Sequence, residues 1–206
     1  MSGHHPLIAA LAIASAIFVT APQVLNAQDT STDSEQNVDE NGLAMGEPVD
    51  ETPKPGETYI KETFGDWALR CIVVEDQEDP CQMYQLLSDE TGQPVVEFTL
   101  FRLPEGGQAA AGATVVVPLE TSLQQPLSIK VDEQQGKRYP YSFCNQVGCY
   151  ARIGLTTEDI DSFKRGAKAV VSLVPALDPA KRVISLDMSL SGFTAAFEQA
   201  SVLDQP

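Results

Sequence analysis

Four cysteines arranged as two short-range pairs, Cys71 with Cys81 and Cys144 with Cys149, constrain this chain more than any other feature. The histidines are as telling: both, His4 and His5, lie in the first five residues. Should the N-terminus be removed on export, the mature chain has no histidine. Ser-His-Asp triads, Cys-His dyads, histidine zinc sites and histidine proton relays then drop out together.

Export is the expectation. Leu7 to Val19 is an uncharged apolar run, short for a bilayer span and placed where the hydrophobic region of a signal peptide belongs. The APQVLNA stretch next to it offers cleavage after Ala27, which makes residues 1–27 a signal peptide. The n-region lacks Lys and Arg, and Leu25 is large for its place before the cleavage site; an uncleaved anchor is the competing reading. No second long apolar run occurs downstream, so no stable membrane insertion is expected after cleavage.

Residues 28–58 differ in kind from the remainder of the chain. They carry nine acidic residues against the single Lys54, with no apolar periodicity, and read as a disordered acidic linker. The remaining 20 acidic and 12 basic residues give residues 59–206 a formal charge of −8. Such a surface repels nucleic acid and anionic headgroups, so no nucleic-acid partner is expected.

From Tyr59 onward the pattern is that of strands. Trp67, Leu69, Cys71 and Val73 share one face by the period of two, and a turn-rich stretch leads to Cys81, a hairpin with one cysteine in or near each arm. Further strands are expected at QMYQLL, at PVVEFTLFRL, and over 114–118, 127–131, 139–144 and 149–155. A short helix comes next, capped by Thr157, with Glu158 and Asp159 in its first turn, Lys164 and Arg165 in its last, and Gly166 closing it. AKAVVSLV and RVISLDMSL supply two more strands, and Phe193, Ala196, Phe197 and Ala200 fall on one face of a final helix. Many short strands in about 150 residues indicate an all-β, immunoglobulin-like β-sandwich with short helices, stapled by two disulfides; a small barrel is the nearest competing architecture.

Four cysteines permit three pairings, and spacing alone does not choose among them. Local pairing is the expectation, because hairpin arms bring both partners within bonding distance. Each such short loop contributes about 2 to 3 kcal/mol, against about 4.5 for a link spanning the domain. A redox role for Cys144 to Cys149 is weaker, with four intervening residues instead of the two of a thioredoxin motif. Zinc held by four thiolates is disfavoured in an oxidising compartment.

The run Phe64-Gly65-Asp66-Trp67-Ala68-Leu69-Arg70-Cys71, then Cys81-Gln82-Met83, Phe143 to Arg152, Lys164-Arg165-Gly166 and Ser189 to Ala196 resembles the invasion-associated locus B family in order and spacing over roughly residues 60–200. The resemblance implies a secreted or envelope-associated β-sandwich of Gram-negative bacteria, in a family named for host-cell invasion by one pathogen and without an established enzymatic activity. Where the family pattern has glycines around a Pro-Leu pair, this chain has Pro118-Leu119-Glu120 and Gln125-Pro126-Leu127, which leaves the geometry of that turn open.

A non-enzymatic binding module in the periplasm or at the cell surface is the resulting expectation, with an unidentified envelope or host protein as partner and no cofactor. The candidate binding residues are Tyr139, Tyr141 and Tyr150 around the Cys144 to Cys149 turn, since tyrosine is frequent at binding surfaces; the plainer reading makes them half-buried strand residues. The competing function is a carbohydrate-active hydrolase working through paired carboxylates drawn from Asp66, Glu97 and Asp187. Glu75 to Asp79 is dense in hard oxygen donors, but lacks the spacing and central glycine of an EF-hand and reads better as a solvated hairpin tip than as a calcium loop.

Overall fold

The computed structural model describes residues 41–46, 48–49 and 52–203. The expected signal peptide and the first part of the acidic linker lie outside them. The chain divides into two units, 1–50 and 51–206. The described residues of the first are exposed; the second carries the fold. No helix among the described residues is long and apolar enough to cross a membrane.

The described residues of the second unit form eleven strands and two helices: β1 Thr58–Phe64, β2 Trp67–Ile72, β3 Cys81–Ser88, β4 Pro94–Arg102, β5 Ala111–Val117, β6 Leu127–Val131, β7 Lys137–Tyr139, β8 Phe143–Cys144, β9 Cys149–Leu155, α1 Thr157–Arg165, β10 Lys168–Leu173, β11 Ile184–Ser189 and α2 Phe193–Gln199. They build two antiparallel sheets, one of seven strands in the order β1-β2-β3-β4-β5-β9-β8 and one of four in the order β11-β10-β6-β7. The architecture is a β-sandwich. Its core comes from alternation: Trp67 and Leu69, Met83 and Leu87, Phe98 and Leu100, Val115 and Val117 from the large sheet meet Leu127, Ile129, Val171, Leu186 and Met188 from the small one.

Aromatic edges join the layers to the helices. Trp67 meets Phe98 at 5.9 Å and Phe193 of α2 at 5.4 Å, and Phe163 of α1 meets Phe193 at 5.3 Å, all near perpendicular as ring quadrupoles prefer. In α2 the expected face holds: Phe193, Ala196 and Ala200 are buried and Phe197 is half-buried.

Three sequence expectations are corrected. The strand expected over 139–144 is two strands in two sheets, because Pro140 has no N–H to extend a ladder and the chain crosses from β7 to β8 there. The cap of α1 is Thr156 instead of Thr157: its Oγ1 accepts from the Asp159 N–H at 3.3 Å while its own N–H donates to Asp159 Oδ2 at 3.0 Å, a capping box. Gly166 closes the helix at φ −74°, so a left-handed turn is not what it supplies. It supplies room, since a Cβ would stand 2.7 Å from Val131 Cγ1 and 2.8 Å from Leu190 Cδ1. The turn left open by the missing family glycines closes without any residue of 118–126 at positive φ.

Both edges of the large sheet are blunted. At one, β1 is interrupted by an irregularity between Ile60 and Glu62, with Lys61 at the break; at the other, β8 has two residues.

Candidate functional site

The cysteines pair locally, Cys71 with Cys81 and Cys144 with Cys149. Cys71 and Cys81 are direct cross-strand partners in β2 and β3, and both are buried. Cys144 and Cys149 close the β8–β9 hairpin. Inside that hairpin Asn145 Oδ1 accepts from the N–H groups of Val147 at 2.8 Å and Gly148 at 3.3 Å, while the Asn145 N–H donates to the Gly148 carbonyl at 2.9 Å. Gly148 is required by space, because a Cβ would lie 2.5 Å from the Val117 carbonyl oxygen. The result is a rigid turn with Val147 at its tip, 76 % exposed.

The three candidate tyrosines do not share one environment. Tyr150 is half-buried on β9, stacked on exposed Phe143 at 4.7 Å, and its hydroxyl accepts from Asn145 Nδ2 at 3.3 Å. Tyr139 and Tyr141 pack against the core on either side of Pro140. Burial pushes both phenols up to about 12, with the Asp159 carboxylate adding to the effect at Tyr139. The Tyr141 hydroxyl is buried and has no hydrogen-bond partner among the described residues.

Tyr139 lines a cavity of about 200 Å³ between α1 and the β6–β7 hairpin, floored by buried Ile129, Val131, Leu155 and Phe163. Lys137 Nζ and Asp159 Oδ1 pair across its rim at 2.6 Å, and Ser162 Oγ donates to Gln134 Oε1 at 2.7 Å. Burial works to raise the Asp159 carboxyl, but hydrogen bonds from Lys137 and Thr156 outweigh it and hold the group below its usual range. Sequence reasoning misses Lys137 and Gln134 as neighbours of Tyr139, because their proximity comes from α1 packing on the hairpin, which no local pattern announces.

The three carboxylates considered for hydrolysis are each engaged separately. Asp66 Oδ2 accepts from Ser189 Oγ at 2.6 Å, Glu97 pairs with Arg70 at 2.8 Å beside the Tyr84 ring, and Asp187 pairs with Lys168 at 2.8 Å. In the acidic hairpin tip both Asp79 oxygens are occupied by protein donors, the Val74 N–H and the Tyr59 hydroxyl, which depress its carboxyl in that order. Among the described residues no group of three or more His, Cys, Asp or Glu side chains is placed to hold a metal ion.

Two of the motif pieces that carry the family resemblance, Phe64 to Cys71 and Ser189 to Ala196, meet in space. The turn Phe64-Gly65-Asp66-Trp67 docks on Ser189 to Phe193: Trp67 Nε1 and Gln85 Nε2 both donate to the Ser189 carbonyl, at 2.9 and 3.0 Å, Gln85 Oε1 accepts from the Ser189 N–H at 2.9 Å, and the Asp66 N–H donates to the Ser191 carbonyl at 3.2 Å. Gly65 and Gly192, both at positive φ, allow this approach. A Cβ on Gly65 would lie 2.6 Å from the Ser191 oxygen, and one on Gly192 would collide with the Phe64 carbonyl.

Residues 67–201 match the family model described as invasion associated locus B (IalB) protein. The chain belongs to the invasion-associated locus B family. It is similar to invasion protein B homologs of Brucella abortus strain 2308 and of Brucella abortus biovar 1 strain 9-941, at 28 % identity to each over 148 residues, which is 72 % of this chain and 83 % of each relative. In fold it is similar to the crystal structure of invasion associated protein B from Bartonella henselae, with a TM-score of 0.55 at 20 % identity over 66 % of this chain and 90 % of that one. The matched span contains both disulfides, Ser189 with its partners Trp67 and Gln85, and the cavity beneath α1.

Proposed function

We propose that this protein is exported to the periplasm or the cell surface and acts there through protein contacts, without catalysing a reaction. The observation that carries the reading is the pair of locally closed disulfides, built into a fold whose family relatives are named as invasion proteins. Disulfides of this kind persist in oxidising compartments. The separate engagement of Asp66, Glu97 and Asp187 supports the non-catalytic part, since hydrolysis needs two carboxyl groups facing one substrate. A role in host contact rests on the names of the relatives, and the rigid Cys144 to Cys149 turn with Tyr150, Phe143 and Val147 is the surface proposed to carry it.

The test is fractionation of the source organism with thiol labelling before and after reduction, combined with crosslinking of tagged chain in intact cells. The reading expects a mature N-terminus at Gln28 in the periplasmic or extracellular fraction, cysteines labelled only after reduction, and crosslinks that map to the β8–β9 turn. A cytoplasmic chain with reactive thiols overturns the export reading. Sugar release from envelope polysaccharide that is lost on Asp66→Asn or Glu97→Gln overturns the non-catalytic one.

A further inference from the structure

We infer that the end of the sandwich formed by residues 118–126 and 174–184 is a self-association surface, on which a second copy of this chain docks by two-fold symmetry. Of the eleven large apolar side chains exposed among the described residues of the second unit, five lie there: Leu119, Leu123, Leu177, Val183 and Ile184. Backbone bonds make them neighbours. The Ser122 N–H donates to the Val174 carbonyl at 2.7 Å and the Ala176 N–H to the Glu120 carbonyl at 2.6 Å, while Leu173 pairs with Ile184 across the β10–β11 ladder. Three adjacent stretches of chain therefore carry these five exposed side chains at one end of the sandwich, and apolar exposure concentrated in this way marks interaction surfaces.

The surface is shaped and held. Asp178 organises it, accepting from the Ala180 N–H at 3.0 Å and from the N–H and Nε of Arg182 at 3.1 and 2.9 Å. Leu177, 82 % exposed, lines a shallow depression together with Pro175, Pro179, Ile184 and the paired Asp178 and Arg182. A largely apolar depression with an exposed leucine on its wall can meet its own copy across a two-fold axis, since an isologous interface pairs one patch with itself.

Charge selects the occupant. The folded part carries −8, so two copies repel over most of their surfaces. At this end the balance is even: Asp178 is neutralised by Arg182, and exposed Glu120 is matched by exposed Lys181. A two-fold pairing lets Glu120 of one copy face Lys181 of the other, so the same end of a second chain is complementary in both apolarity and charge. The blunted edges β1 and β8 leave no competing route through extension of the large sheet. This inference does not depend on the proposed envelope role, and the two are tested by different measurements.

The experiment is analytical ultracentrifugation of the oxidised full chain over a wide concentration range at low and high salt. The expected result is a monomer–dimer equilibrium that strengthens with salt, as screening removes the repulsion between acidic surfaces. Leu177→Asp and Leu123→Asp are each expected to weaken it by about thirtyfold with the melting temperature unchanged. Glu120→Lys and Lys181→Glu are each expected to weaken it, and the chain carrying both exchanges to recover. A chain that stays monomeric up to about 1 mM at either salt, or a dimer indifferent to both leucine replacements, overturns the inference.

Discussion

The two ends of β11 show opposite ways of finishing a sheet. At its C-terminal end Ser189 commits its N–H and carbonyl to Gln85 and Trp67, its hydroxyl bonds Asp66, and Gly65 and Gly192 admit no methyl group. At its N-terminal end Val183 and Ile184 are exposed, and Ile184 shares a depression with Leu177. The first end is saturated with internal partners, so a change there falls on folding. The second has no internal partner for its apolar surface, so a change there falls on association. One six-residue strand thus separates stability from recognition.

The largest expected effect tests the saturated end. Gly192→Ala places a Cβ against the Phe64 carbonyl at a residue held at φ +83° and should cost about 3 kcal/mol or more in denaturant unfolding. Removing the Cys71–Cys81 bond by paired alanine replacement comes next, about 2.7 kcal/mol from the ten-residue separation, against about 2 for Cys144–Cys149. A difference of only about 0.7 kcal/mol between the two sites would show that burial of the first pair adds nothing to loop closure. Gln85→Leu frees the Ser189 N–H and removes one of the two donors to its carbonyl, for an expected loss of about 2 kcal/mol, while Leu177→Ser at the other end should stay within about 0.5 kcal/mol. Comparable losses for these two would erase the contrast between the ends.

The tyrosines give smaller effects of opposite sign. Tyr141→Phe removes a buried hydroxyl that has no partner and should stabilise by about 1 kcal/mol. Tyr139 and Tyr141 have folded values near 12 against an ordinary 10, so the neutral phenol is favoured by folding. Their contribution is fully present below pH 10 and is lost as pH rises toward 12, which predicts alkaline destabilisation that is smaller in the Tyr139→Phe, Tyr141→Phe chain, where Tyr59 and Tyr84 still titrate above their ordinary value. Spectroscopic titration of the phenols alongside thermal melts checks the sign. Asp159 and Asp79 act at the other extreme: their carboxyls are depressed in the folded chain, so their contribution is present above the ordinary carboxylate range and is lost as pH falls through their lowered values.

How much is legible from the chain depends on the range of the interaction. The strands over 127–131 and 149–155 can be read to the residue, because strict alternation and bounding turn residues are local signals. Strand β1 escapes such a reading: as an edge strand its pattern of burial is mostly exposed, so it carries no apolar alternation. The site is less legible still. Asn145 and Gly148 announce a turn, but nothing along the chain announces that Lys137 meets Asp159, or that Glu120 and Ser122 bond to Ala176 and Val174.

What the amino-acid sequence determined by itself was everything set within a few residues or by composition: the alternation that makes these strands, the acidic surface, the hairpin spacing that allows local pairing of the cysteines without imposing it, and the ordered motifs that mark the family. The tertiary structure decided which motifs touch. Gln85 is an ordinary polar residue in a strand until β11 arrives opposite it, 104 residues on, with a free N–H and carbonyl to bond. Gly65 and Gly192 are two turn glycines until their backbones meet. The physical reason is that contacts of long sequence separation are chosen by the packing of whole layers, a property of the summed apolar surface, and leave no periodic trace in the chain that makes them.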